Sequence, residues 1–497
     1  MECNIFPSLN SIIDFRKTNN SRGNYMNMNR RDALKLGAAS VLAAAASATL
    51  TGCGGAEAKP EGAACTGENK KLLGKHQIVV VGGGFGGMTV ANNLKKKDPN
   101  FDILVIEKNE TFMSCPVSNI YLGKLEGINL GNFVFDYARP VEKYGYGMLH
   151  AEVTGINREK KEVVTTKGKI AYDILVLSPG IDYNYEGQFP TWSKEKIAHV
   201  RRTAPAALIP GSEHVILERN LVNMDDGDVI VTVPSGKFRC PPAPFERASM
   251  IAAFMKKEEI EGKVIILNET ADIAKGAAFK EAWGELYGDM VEHHSFCKIT
   301  DVDPKSKTIT YTQKVPTGQK DKDTGEDIMK DEVKTRKYSV LNLIAHNKAN
   351  PVVKMANLET TADAFGKVKM NGCSFQTATD KDVYAVGDVV GHAIPPSGQT
   401  AYWAGIQCAN EIAHRLHNKA YELPVKTQPV SAGNVCYSMV GDNPEEAILV
   451  THDFMWNGAV IGSKGNVPKA PSGKFRSGGT AKALHDWYRG ITSDLFS

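Results

Sequence analysis

The sequence predicts an α/β protein with two Rossmann-like dinucleotide-binding domains and a small C-terminal α+β domain. Three observations lead there. Ile78–Gly87 reads IVVVGGGFGG, four β-branched residues running into Gly82, Gly84 and Gly87 at G-x-G-x-x-G spacing. A second apolar strand–helix–strand pattern recurs between Asp228 and Leu267. Finally, Asp382–Asp388 reads DVYAVGD, a short strand with a turn glycine, Gly387, and an acid, Asp388, which completes the first domain after the second has been inserted.

In the first unit, Ile78–Val81 is a buried strand and Met88–Lys97 the following helix. Glycine is required between them because the turn is tight, a pyrophosphate must approach bare backbone, and helix and strand must pack closely. The helix N-terminus offers free N–H groups and a positive dipole end to phosphate. The second strand, Asp102–Ile106, ends in Glu107, placed to accept from an adenosine ribose. The motif alone does not choose between FAD and NAD.

The 497 residues suit about three domains. Net charge is +3 from 59 basic and 56 acidic residues, mixed along the chain, which gives no electrostatic case for nucleic acid. Nine cysteines occur without a C-x-x-C pair, so neither a zinc ribbon nor a thioredoxin motif is present, and no metal site is expected. No C-x-x-C-H occurs either, so this chain attaches no c-type haem itself.

Residues 1–69 read as an export signal and linker. Arg30-Arg31 precede a short alanine-rich apolar run, Leu36–Leu50, which predicts twin-arginine (Tat) export to the periplasm. That run is shorter than the roughly 20 residues a bilayer span takes. Leu50-Thr51-Gly52-Cys53 resembles a lipoprotein box, with Cys53 as the possible anchor and simple cleavage as the alternative.

Residues 70–182 form the first part of the first domain. Glu110–Asn119, ETFMSCPVSN, follows the ribose acid directly; in a flavoenzyme with two such domains it runs beneath the isoalloxazine ring, so Cys115 is placed to touch or bond it. Strands are expected at His150–Ile156, Glu162–Thr166, Ile170–Tyr172 and Asp173–Leu177, the last ending at Ser178-Pro179-Gly180. The second domain, residues 183–336, has strands at Asp228–Val233 and Val264–Leu267 around a helix at Glu246–Lys257. Its turn, Pro234–Pro244, has one glycine and four prolines where a nicotinamide-binding enzyme carries a second glycine motif. A stiff turn bearing Phe238 and Arg239 offers a dinucleotide little backbone to approach. What stands there instead is Cys240. Lys314–Lys337 alternates in charge and reads as a solvated hairpin. Tyr338–Ala345 is expected to return to the first domain (residues 337–421), where Ser397 and Gly398 open a helix running to about His417, aimed at the flavin pyrimidine edge. Residues 422–497 are the third domain, with a terminal helix at Thr480–Tyr488 and no closing pair of long amphipathic helices.

With these residues in view, the chain from about His76 to Ser497 resembles the flavoprotein subunit of flavocytochrome c sulfide dehydrogenase, a glutathione-reductase-like flavoprotein. The most specific segments are Phe238–Arg247 (FRCPPAPFER), Asn434–Ser438 (NVCYS) and Trp487–Phe496 (WYRGITSDLF). The resemblance implies a redox-active disulfide between Cys240 and Cys436 over FAD. It implies covalent attachment of the flavin through Cys115, an acid/base role for Glu246 and a flavin-side position for Trp487. It implies inorganic sulfide as substrate, with Cys240 receiving it and Cys436 facing the flavin, and a separate c-type cytochrome subunit as acceptor. Two other readings stay open: sulfide:quinone oxidoreductase, with a membrane quinone as acceptor, and a non-enzymatic flavoprotein scaffold for a cytochrome. Type II NADH dehydrogenase is disfavoured by the proline turn.

Overall fold

The computed structural model describes residues 70–497; the expected export signal, linker and Cys53 lie outside them. Leu72–Val81 is the middle of a seven-stranded sheet, parallel to Ile103–Glu107 on one side and to Lys169–Leu177 on the other. Gly147–His150 and Val383–Ala385 continue the parallel order outward. Val153–Asn157 and Glu162–Thr165 add an antiparallel meander at the start of Lys169–Leu177. The run IVVV faces two ways. Ile78 and Val80 enter one core with Met88 and Val176, whereas Val79 and Val81 enter another with Leu175 and Leu177. A parallel strand covered on both faces needs a continuous apolar run, which is what these residues supply.

The first helix is Phe85–Lys97, so it begins three residues before the expected Met88. Gly86 and Gly87 sit in its first turn. Glycine is a poor helix former, but close approach to the strand overrides propensity here. Ile170–Tyr172 and Asp173–Leu177, expected as two strands, run together as one.

In the second domain Val229–Val233, Val264–Asn268 and Val291–His294 are parallel, with the helix Ala243–Lys257 after the first. The fourth strand, Val340–Asn342, also pairs with Val229–Val233. Tyr338–Ala345 therefore does not return to the first domain as expected. An apolar run buried in a parallel sheet carries no mark of which sheet it joins. The return comes later, at Asn347–Ala349, which pairs antiparallel with Ile181–Tyr183, the segment by which the chain left.

The expected charged hairpin is present as the outer part of Thr308–Lys320 and Asp327–Lys337, which pair with each other, the first of them pairing also with Cys297–Asp303. The C-terminal region is a four-stranded antiparallel sheet, Val430–Asp442, Glu445–Trp456, Ile461–Asn466 and Arg476–Ser477, closed by a helix Gly478–Phe496. That helix is about twice as long as expected. Gly490 does not end it, because Ile491, Leu495 and Phe496 beyond it are buried and Phe496 stacks on Phe112 and Phe135. Burying such side chains outweighs the roughly 1 kcal/mol a helical glycine costs. Among the described residues no helix is long and apolar enough to cross a membrane.

Candidate active site

A cavity of about 670 Å³ opens at the carboxyl ends of the first-domain strands and reaches the second and third domains. Its size is that of a site for one cofactor-sized ligand. The glycine motif forms one end, and its three glycines do different things. Gly82 has φ 107°, and a Cβ there would fall on the carbonyl of Ser178. A Cβ on Gly87 would fall on the carbonyl of Gly82; Gly87 does not line the cavity but closes the helix onto the strand. A Cβ on Gly84 would meet nothing within 4 Å, so this backbone is bare toward the cavity. Glu107 lines the same end, accepting from Gly83 N at 2.8 Å and Asn109 N at 2.9 Å. These features fit a dinucleotide.

Gly387 and Asp388 also line the cavity. Asp388 is paired with Arg239, Nε at 2.7 Å and Nη2 at 2.6 Å. Arg239 further donates to the Leu208 carbonyl at 3.1 Å. The turn that replaces the second glycine motif is thus tied by its arginine to the first domain. Ser397 caps the helix Gly398–Leu416, accepting from Thr400 N at 3.1 Å, and its hydroxyl donates to Asn434 Oδ1 at 2.7 Å. Asn434 lies two residues before Cys436 on Val430–Asp442. Trp487 reaches the wall from the terminal helix and donates through Nε1 to Gln399 Oε1 at 2.7 Å.

Cys115, Cys240 and Cys436 come from three separate segments and all line this cavity. Cys240 has φ 54°, a strained value for a residue with a Cβ. It is held there by its amide, which donates to Pro396 O at 2.8 Å, and by its carbonyl, which accepts from Ala243 N at 2.8 Å. All three are free thiols; the Cys240–Cys436 disulfide implied by the resemblance is not formed, and free thiols are the reduced form of such a pair. Burial raises the pKa of each: that of Cys240 goes well above its ordinary value, with neighbouring Cys436, Cys115 and Glu246 adding to it.

Glu246 is 4% exposed, in the first turn of Ala243–Lys257. Burial pushes its carboxyl up to about 7, against the pull of Lys275 and of hydrogen bonds from Asn119 and Ser438. A carboxyl poised near neutrality inside a cavity suits proton transfer. Next to it Arg247 is 1% exposed; it donates to the Ala206 and Ala207 carbonyls at 2.9 and 2.6 Å and to Asn119 and Asn342 Oδ1 at 3.1 and 2.9 Å.

Sequence reasoning noted Arg239 only as a bulky residue of the proline turn, not as the partner of Asp388, and did not single out Arg247, Ser438 or Lys275. Arg239 and Arg247 carried a usable signal, being adjacent to Cys240 and Glu246. Lys275 carried none, since it reaches Cys436 from another element.

Residues 76–208 match the pyridine nucleotide-disulphide oxidoreductase family. Residues 214–320 match the central part of the sulfide dehydrogenase (flavocytochrome c) flavoprotein chain, and residues 428–496 its flavin-binding part. The chain is 46% identical over 46 residues to the sulfide dehydrogenase (flavocytochrome c) flavoprotein chain of Chlorobaculum thiosulfatiphilum, which is 9% of this chain and 96% of that one. It is 26% identical over 391 residues to the sulfide-quinone reductase of Aquifex aeolicus strain VF5, covering 75% of this chain and 82% of the relative. Its fold matches the X-ray structure of the sulfide:quinone oxidoreductase from Aquifex aeolicus with a TM-score of 0.62 at 16% identity, over 84% of this chain and 91% of that one. Together with the glycine motif, the cavity and its thiols, these matches show that the chain belongs to the flavoprotein family of flavocytochrome c sulfide dehydrogenase, a family of FAD-dependent oxidoreductases.

Proposed function

We propose that this chain is a sulfide dehydrogenase that takes an electron pair from sulfide and passes it, through FAD, to a c-type cytochrome subunit. The observation that carries this reading is the meeting of Cys240, Cys436 and Glu246 in the wall of one cavity. Gly82–Gly84 and the N-terminus of Phe85–Lys97 would hold the FAD pyrophosphate, Glu107 the adenosine ribose, and the N-terminus of Gly398–Leu416 the pyrimidine edge. Cys115, in the same wall, would be the point of covalent attachment. When bound, FAD supplies an acceptor that takes electrons in pairs and releases them singly.

In the oxidised enzyme Cys240 and Cys436 form a disulfide. Hydrosulfide attacks one sulfur; a new S–S bond forms, the old one breaks, and the other cysteine leaves as thiolate. Glu246, poised near pH 7, takes the proton of a bound hydrogen sulfide molecule. Because the sequence has no haem-attachment motif, the cytochrome is a second polypeptide. The Arg30-Arg31 signal supports work in the periplasm.

The test is anaerobic addition of sulfide to the holoenzyme while the flavin absorbance is followed. Bleaching by sulfide supports the reading, and no bleaching overturns it. Oxidised cytochrome c should then restore the colour. Restoration by a quinone alone would make the chain a sulfide:quinone oxidoreductase.

A further inference from the structure

The two thiols of the cavity have unequal surroundings, and the difference is Lys275. It stands just before the helix Gly276–Leu286 with φ 61°, a backbone conformation that a lysine adopts only when its surroundings hold it there. From this position the ammonium crosses to Val430–Asp442. It donates to the Cys436 carbonyl at 2.9 Å and to Ser438 Oγ at 2.9 Å, and lies 3.7 Å from Cys436 Sγ. Both oxygens it bonds are neutral and do not cancel its charge, which acts on Cys436 Sγ as well as on the Glu246 carboxyl. A thiolate is stabilised by a cation at such range.

Cys240 has no comparable partner. Burial is the largest influence against its ionisation, Cys436 and Cys115 in their ionised forms and the Glu246 carboxylate add to it, and Lys275 is the smallest influence and the one that opposes them. Around Cys436 the same groups are ordered differently. Burial still opposes ionisation there and Glu246 adds to that, but Lys275 counters them both through its charge and through a hydrogen bond to the sulfur. When a disulfide is opened, the sulfur better able to carry negative charge leaves faster.

We propose that Lys275 is the cation that makes Cys436 the leaving sulfur and so directs hydrosulfide to Cys240. The inference rests on the reading of the site as a sulfide-oxidising disulfide. Hydrosulfide bonds to Cys240 Sγ, the Cys240–Cys436 bond breaks, and its electron pair stays on Cys436 Sγ beside the ammonium. The products are a Cys240 persulfide and a Cys436 thiolate; one negative charge enters and one remains, and no further oxidant is needed. Ser438, which accepts from Lys275, also helps to lower the Glu246 carboxyl, so the ammonium and the carboxyl share a neighbour.

The experiment uses reduced holoenzyme and limiting iodoacetamide at pH 7, with the label apportioned between the Cys436 and Cys240 peptides by mass spectrometry. Wild type should label Cys436 first. Lys275→Met should slow Cys436 labelling about tenfold, the effect of one unit of thiol acidity, while Lys275→Arg keeps the wild-type partition. A wild-type circular dichroism spectrum and a cooperative melt show that each variant is folded; if Lys275→Met does not fold, the Lys275→Arg partition and the wild-type preference decide. Preference for Cys240 in wild type, an unchanged rate in folded Lys275→Met, or loss of the preference in Lys275→Arg overturns the proposal. In a second arm, oxidised holoenzyme receives one equivalent of sulfide and the extra sulfur is located by mass. Its presence on Cys240 supports the proposal, and on Cys436 overturns it. If sulfide leaves the oxidised enzyme unchanged, the sulfide reading itself has failed, and the labelling partition still decides whether Lys275 acidifies Cys436.

Discussion

Ser235 donates both its amide and its hydroxyl to one carboxylate oxygen of Glu269, at 3.1 and 2.6 Å. His346 Nε2 lies 2.7 Å from the same oxygen, and Gln188 donates to the other at 3.2 Å. Glu269 directly follows the second strand of its domain and by register stands where Glu107 stands in the first. Glu107 takes one bond from the glycine loop and faces the cavity; Glu269 is enclosed by its own neighbours. The ribose acid of the second domain is therefore spent internally, next to a turn already stiffened by proline. NADH should not bleach the flavin anaerobically under conditions in which sulfide does. Bleaching by NADH in a parallel cuvette would show that this domain still takes a nicotinamide.

Glu246 should make the fold pH-sensitive in a definite direction. Its carboxyl is raised from 4.5 to about 7 in the folded state, so folding favours the protonated form. Below pH 4.5 it costs nothing. The cost of ionising it grows between pH 4.5 and 7, then levels off at about 3 kcal/mol. Glu246→Gln should match wild type in thermal stability near pH 4.5 and exceed it above pH 7. The same variant should lose about a hundredfold in sulfide turnover and the limb of its pH profile near neutrality. Melting curves and turnover measured across pH check both; unchanged turnover would remove the proton-transfer role.

The motif glycines separate folding from cofactor binding. In Gly87→Ala, made like its companion in a Cys115→Ser background so that FAD can be removed, the new methyl falls on the Gly82 carbonyl, so the protein stripped of FAD should lose about 1–3 kcal/mol. In Gly84→Ala the methyl enters open space at an ordinary φ of −84°. Stability without FAD should then stay within about 0.5 kcal/mol of wild type, while FAD occupancy falls. Urea unfolding and the flavin-to-protein ratio distinguish the two; equal behaviour would mean that Gly84 does not face the cofactor.

Arg239 and Asp388 are mostly withdrawn from solvent, at 18% and 10% side-chain exposure. Arg239→Met leaves a buried carboxylate without its cation and should destabilise by about 3–5 kcal/mol. Adding Asp388→Asn should restore part of that loss, which a double-mutant cycle reads directly. A simple sum of the two single effects would mean that the pair is not coupled.

The parts of this protein legible in its sequence are the local ones. The glycine spacing, the acid at Glu107 and the proline turn at Cys240 each lie within a few residues of the feature they mark, and the cavity contains them. Boundaries failed where packing across the chain decides. Val340–Asn342 reads as an apolar strand in either domain, and only its pairing with Val229–Val233 assigns it. The terminal helix runs through Gly490 because Phe496 finds Phe112 and Phe135, from the opposite end of the chain. Lys275 was out of reach for the same reason: 161 positions separate it from Cys436, and no period or motif connects them.

Arg247 is buried without a carboxylate among its hydrogen-bond partners, which are two carbonyls and two side-chain amides. A guanidinium does not shed its proton in proteins, so its charge is permanent. Water and salt, which damp surface charges over about 10 Å, are largely kept from it. The result is a standing positive potential in the cavity wall, focused by its low-dielectric surroundings. Glu246, once ionised, opposes that potential, so the pull of the wall on a small anion weakens as pH rises through neutrality. The charge a substrate meets in this wall is thus set by pH before any bond is made.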